Sequence, residues 1–144
     1  MEERDTYLIA GSGVSGTAAA KLLHQAGERA ILYDGNAALL EEEIRGRLSA
    51  AAGIPIVLGE LEEGLLGRVK ACVASPGIPA SSPLFLRLRA AGIPVWSEIE
   101  LAYRTGKGRV AAITGTNGKT TTTALVGEIL KEHYRDVRVV GNIG

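Results

Sequence analysis

The chain has 144 residues, sixteen lysines and arginines against sixteen aspartates and glutamates, and one cysteine. That length holds one ordinary α/β domain with a proper core and part of another, but not two complete ones. The balanced charge excludes a broad electrostatic attraction to nucleic acid or an anionic membrane and points to small-molecule partners. Cys72 has no partner for an internal disulfide, and its apolar run Val69 to Ala74 marks it as a buried strand residue of a reducing compartment. The start, Met1 to Asp5, lacks the apolar centre of a signal peptide, and no uninterrupted apolar stretch is long enough to span a bilayer. A soluble, cytoplasmic protein is expected.

Short apolar runs alternate with longer helix-forming stretches, the order that predicts an α/β fold with a parallel sheet. The first strand is expected at Tyr7–Ala10, followed by a glycine turn and a helix of alanines and leucines that stops at Gly27. The second strand is Ala30–Tyr33, ending on Asp34. Strong helix formers run from Ala37 to Ala52, with Gly53 as a stop signal. Strands follow at Ile56–Leu58 and Val69–Ala74, the latter broken by Ser75-Pro76-Gly77 because proline cannot continue a central ladder. A helix from Pro83 to Ala91, a short strand at Val95–Trp96 and a helix from Glu98 to Arg104 complete five strands.

Thr105-Gly106-Lys107-Gly108-Arg109 is polar and glycine-rich, and it sets a domain boundary between residues 1–106 and 107–144. Beyond it, Val110–Ile113 reads as a strand, Thr114–Gly118 as a glycine turn, Lys119 to about His133 as a helix and Val137–Val140 as a strand. One βαβ unit cannot cover both faces of its own sheet, so the sequence reads as truncated after Gly144. Uncovered apolar positions such as Leu125, Ile129 and Leu130 make self-association through 107–144 an expectation.

Two glycine motifs carry chemistry. Gly11-Ser12-Gly13-Val14-Ser15-Gly16 lies between a strand and a helix, where glycines permit a tight turn and close backbone approach and helix-start N–H groups attract a pyrophosphate. Asp34, at the end of the second strand, is placed to accept hydrogen bonds from a ribose or base. Ser75-Pro76-Gly77 follows the fourth strand at the same end of the sheet, where its hydroxyl and amides suit a second side of a phosphate, although these are also common turn residues. Thr114-Gly115-Thr116-Asn117-Gly118-Lys119-Thr120-Thr121-Thr122 is a compact phosphate loop. Its amides suit phosphate oxygens, Lys119 the β and γ phosphates and Thr120 a magnesium ion. It departs from the longer GxxxxGK[ST] pattern in having Ile113 in place of the first glycine.

The other polar residues invite plainer readings. His24 and His133 sit at wet helical positions without a metal-binding set around them. Glu41-Glu42-Glu43 is a solvated helix face, and Glu98 and Glu100 favour a helix start. Trp96 is a core or interface aromatic, and Asn142 follows a strand where it could face a ligand.

In order along the chain, GSGVSG, VASPGIP, AGIPVWSEIEL, TGTNGKTTT and GNIG resemble the Mur ligases of peptidoglycan synthesis, and VASPGIP with SEIEL resembles their D-glutamate-adding branch. The resemblance covers almost the whole chain. It implies ATP and Mg2+ as cofactors, and UDP-N-acetylmuramoyl-L-alanine and D-glutamate as substrates. It places Val14 and Ser15 beside the UDP moiety, Asp34 at the uracil, Ser75, Pro76 and Gly77 at the diphosphate, and Asn142 at the muramoyl part. It assigns the ATP loop to Gly115, Thr116, Asn117, Gly118, Lys119, Thr120 and Thr121, with Lys119 and Thr120 catalytic and Thr120 on magnesium. Gly35-Asn36 departs from the threonine or basic residue that often follows the acid in the family. The implied reaction phosphorylates the alanyl carboxylate and joins the resulting acyl phosphate to the amine of D-glutamate. The acceptor domain and further metal-bridging residues would lie beyond Gly144, so residues 1–144 alone are expected to form no amide bond.

A stand-alone NAD-binding module is the competing reading, since Asp34 also suits a ribose 2′-hydroxyl. It leaves TGTNGKTTT without a purpose. A complete small phosphate-loop NTPase is excluded by the lack of an acid-ended strand after the loop.

Overall fold

The computed structural model describes residues 4–141. The chain divides into two compact units, Met1–Lys107 and Gly108–Gly144.

The first unit is a five-stranded sheet, wholly parallel, of strands β1 (Thr6–Ala10), β2 (Arg29–Asp34), β3 (Ile56–Leu58), β4 (Val69–Ala74) and β5 (Val95–Ser97) in the order β3-β2-β1-β4-β5. The chain winds outward from β1 to β3 and then crosses back to place β4 on the other side of β1. Loops after β1 and β4 therefore diverge to opposite faces and leave a crevice between them, the arrangement in which open parallel sheets bind ligands.

Helices cover both faces, as parallel strands require. Alternating residues Tyr7, Ile9, Leu32 and Val73 meet α1 (Val14–Gln25), α2 (Glu41–Leu48) and α5 (Glu98–Thr105) through Leu23, Ile44, Leu48 and Leu101. On the other face Leu8, Ala10, Val69 and Cys72 meet α3 (Glu63–Leu66) and α4 (Pro83–Ala90) through Leu66, Phe85 and Leu88. Full burial of each large side chain is worth about 1.5–3 kcal/mol. Cys72 is fully buried, and burial pushes its thiol up to about 12, so it is a packing residue rather than a nucleophile.

Capping residues fix two helix entries. The Ser82 hydroxyl accepts from the Phe85 N–H at 3.4 Å, with Pro83 in the first turn, and the Ser97 hydroxyl accepts from the Glu100 N–H at 3.2 Å. At the helix expected over Ala37–Ala52 the structure differs. Asn36 accepts the Ala38 N–H on its side chain at 3.0 Å, and its carbonyl accepts the Leu39 N–H at 3.4 Å. This Asx turn captures Ala37 and Ala38, so α2 begins only at Glu41. It ends at Leu48, passing through Ser49 at φ 52° into a 3-10 turn, Ser49–Ala51.

In the second unit one helix, α6 (Lys119–Lys131), forms as expected. The strands expected at Val110–Ile113 and Val137–Val140 do not form, because neither segment finds a ladder partner among the described residues. Val139 instead lies over Gly127 of α6, where a side chain on the glycine would overlap the valine methyl.

Candidate functional site

The crevice of the first unit is assembled by backbone bonds between three strand ends. The Gly11 N–H donates to the Tyr33 carbonyl at 2.8 Å, and the Ser75 N–H donates to the Ala10 carbonyl at 3.0 Å. The ends of β1, β2 and β4 are thereby held together, and with the loops that follow they carry the predicted Gly11–Gly16, Asp34 and Ser75.

Each glycine of the first motif answers to a different constraint. Gly11 adopts φ +99°, and a Cβ there would lie 2.7 Å from the Ser75 Oγ. At Gly16 a Cβ would overlap the Gly11 carbonyl, so the missing side chain is what lets α1 start so close to β1. Gly13 has nothing within 4 Å of where its Cβ would be. Nothing among the described residues fills that space, at the N-cap of a helix that has no side-chain cap. Open amides at the α1 start suit an anionic group.

Asp34 is the best-anchored polar group of the crevice. Its Oδ2 accepts both the Ser12 N–H at 2.9 Å and the Ser12 hydroxyl at 2.7 Å, while its Oδ1 accepts the Asn36 N–H at 3.1 Å. Burial alone would raise its pKa, but the Ser12 hydroxyl and N–H, the Asn36 N–H and the charge of Arg47 outweigh burial and hold the carboxyl below its ordinary value. Ser12 is almost fully buried, and the sequence reading gave it no role.

Ser75 presents a buried Oγ with no hydrogen-bond partner among the described residues, facing Gly11 and Gly16. An unpaired buried hydroxyl is costly unless something completes it. Pro76 and Gly77 follow it, exposed, in a turn. Val14 is 85% exposed at the first position of α1, an apolar side chain left at the crevice rim, and Ser15 beside it is half-buried. Glu98, to which the sequence assigned no chemistry, also has a buried carboxylate oxygen without a partner among the described residues, at the start of α5 just beyond β5. Asn142 lies outside the described residues.

The site is an open crevice rather than an enclosed cavity. Two hollows elsewhere, of about 350 Å³ around Arg4, Leu66 and Arg87 and about 190 Å³ around Lys21, His24 and Ser49, do not include the glycine loop.

In the second unit, Gly118 takes the left-handed conformation, φ 73°, at the N-cap of α6, again without a side-chain cap. The loop amides and helix start are therefore available to phosphate oxygens. Lys119 folds its Nζ back onto the loop, donating to the Gly115 carbonyl at 2.5 Å and the Thr116 carbonyl at 3.3 Å. The ammonium is thus held over the loop, and the Thr120 side chain beside it is exposed. Glycine freedom, open amides, ammonium and hydroxyl fit a nucleotide triphosphate with magnesium.

Comparison with known proteins bears on both units. The family model described as Mur ligase MurD-like, N-terminal domain, matches residues 5–97, and that described as Mur ligase middle domain matches residues 113–144. A relative from Lachnospira eligens, named UDP-N-acetylmuramoylalanine--D-glutamate ligase, is 48% identical over 139 residues, covering 96% of this chain and 31% of the relative. A relative of the same name from Lachnoclostridium phytofermentans is 48% identical over 137 residues, covering 95% and 30%. The chain thus spans about a third of the length of these relatives. Among solved structures, a murein peptide ligase from Psychrobacter arcticus aligns with a TM-score of 0.60 at 23% identity, over 88% of this chain and 26% of that one. A pseudomurein peptide ligase type C from Methanothermus fervidus aligns with a TM-score of 0.58 at 23% identity, over 89% and 26%, and shares the fold. With a family match across well over half of its residues, laid over the sheet and crevice described above, the chain belongs to the Mur ligase family, in its MurD-like branch.

Proposed function

We propose that the chain is the N-terminal part of a cytoplasmic ATP-dependent ligase that joins D-glutamate to UDP-N-acetylmuramoyl-L-alanine in peptidoglycan precursor synthesis. In this reading residues 1–106 bind the UDP-substrate and residues 107–144 open the ATP-binding domain. The observation that carries it is the pair of uncapped, glycine-opened helix starts, one beside an anchored acid and the other beside Lys119, in a chain whose relatives bear that ligase name. No helix among the described residues is long and apolar enough to cross a membrane.

The residues divide the work by their chemistry. Val14 and Ser15 border the UDP moiety, Asp34 accepts from the uracil, and Ser75, Pro76 and Gly77 take the diphosphate side, where the unpaired Ser75 hydroxyl gains a partner. Asn142 would face the muramoyl part. Gly115, Thr116, Asn117, Gly118, Lys119, Thr120 and Thr121 cradle the nucleotide phosphates, with Thr120 as a magnesium ligand. Bound ATP supplies the phosphoryl group that activates the substrate carboxylate. Lys119, released from its carbonyl partners, would offset the negative charge on the phosphoryl group being transferred, the electrostatic stabilisation on which phosphoryl transfer depends.

Amide chemical shifts of the 144-residue chain during titration with UDP-N-acetylmuramoyl-L-alanine and, separately, with magnesium ATP test the reading. Shifts centred on Gly13, Asp34 and Ser75 for the first ligand and on Gly115–Thr121 for the second are expected. Shifts scattered over the surface, or saturation of the Gly11–Gly16 crevice by ATP alone, would overturn it.

A further inference from the structure

An ionised carboxylate has about four acceptor sites, two on each oxygen. In Asp34 the Ser12 N–H and hydroxyl take both sites on Oδ2, and the Asn36 N–H takes one on Oδ1. A single site remains, on Oδ1. Ser12 is only 3% exposed, so water does not readily exchange for its hydroxyl, and its own N–H is fixed by the turn after β1.

We infer that Ser12 determines ligand specificity: by filling Oδ2 of Asp34 it leaves that carboxylate room for one ligand donor, which matches a base with a single ring N–H such as uracil. An acid that grips both neighbouring hydroxyls of a ribose, as a dinucleotide site does, needs two open acceptor sites, and Asp34 offers one while Ser12 and Asn36 both donate to it. The inference rests on the reading of this crevice as a UDP-substrate site. It adds the reason why a fingerprint otherwise suited to NAD takes a uridine nucleotide.

Titration of the 144-residue chain with UDP and with NAD, repeated for Ser12→Ala, is the test, with Asp34 followed through its carboxyl carbon resonance. The wild-type chain is expected to favour UDP, and S12A to narrow that preference about tenfold by strengthening NAD, the worth of one hydrogen bond to a charged group. The Asp34 titration should move upward in S12A. Asn36→Pro, at an exposed turn, removes the third donor together with the Asx bond to Ala38, leaves the buried Gly11–Gly16 loop in place and should narrow the preference in the same direction. A wild-type preference for UDP that survives both substitutions unchanged overturns the role of Ser12 and leaves the UDP reading standing. No preference for UDP in the wild-type chain, including binding of neither nucleotide, overturns both.

Discussion

Gly13 and Gly16 stand three residues apart in one motif and predict opposite mutational behaviour. Alanine at 16 must push α1 away from the Gly11 carbonyl, and we expect it to cost about 3 kcal/mol or to prevent folding. Alanine at 13 meets nothing, at an ordinary φ of −70°, so stability should change by no more than about 0.5 kcal/mol. If a diphosphate passes over that position, however, UDP affinity should fall in Gly13→Ala while the melting temperature holds. Thermal melts beside a UDP titration separate the two effects. Asp34 adds a pH dependence. Its folded-state pKa lies below the ordinary 3.8, so its contribution is complete above that value and is lost as pH falls from there through the folded pKa. Acid unfolding of Asp34→Asn should consequently show a shallower loss of stability below pH 3.8 than the wild type. Gly11 and Gly16 were legible in the sequence because the turn imposes their spacing, and Asp34 because it ends the strand that follows the helix opened by that turn. Ser12 was not, since its importance arises only when β1 and β2 align and bring residue 12 to residue 34.

At the level of elements, apolar runs located all five strands of the sheet, and Val69–Ala74 and Ile56–Leu58 fall on their expected bounds. Propensity misplaced the start of α2, where Ala37 and Ala38 favour a helix but Asn36 offers their backbone a competing turn. It also passed over α3, whose four residues are too few to display a period. Expectations for 110–113 and 137–140 failed for a different reason: alternation marks a segment as able to pair, whereas a strand exists only with a neighbour. The same contrast between covered and uncovered faces yields a mutational prediction. Leu23 of α1 is wholly buried against the sheet, and Leu23→Ala should cost about 2–5 kcal/mol. Leu125 of α6 is 60% exposed, and Leu125→Ser should cost no more than about 0.5 kcal/mol in denaturant unfolding of this chain. A large penalty at Leu125 would mean that its face is covered in solution.

For the molecule as a whole, the two units differ in what secures them. Residues 6–105 share a sheet buried on both faces, while the second unit holds one helix and presents Val110, Leu125, Ile129 and Val140 to solvent. We expect amide hydrogen exchange to be slow through β1, β2 and β4 and much faster through α6 in dilute samples. If the exposed apolar residues bring copies together, protection in α6 should rise with protein concentration. Strong protection there at the lowest concentration would show that the second unit is stable unaided.

Trp96 gives this asymmetry an optical consequence. It is the chain's single tryptophan and lies in β5, its ring 5.7 Å from that of Tyr7 and 4.4 Å from the Arg104 guanidinium. Indole emission therefore reports the packing of the first unit around β5, whereas far-ultraviolet circular dichroism sums the helices of both units. Superimposable curves from the two signals would indicate one cooperative transition, and a dichroism loss that precedes the fluorescence change would time the melting of α6 on its own. The position of one aromatic side chain thus makes unlabelled protein a differential thermometer for its two units.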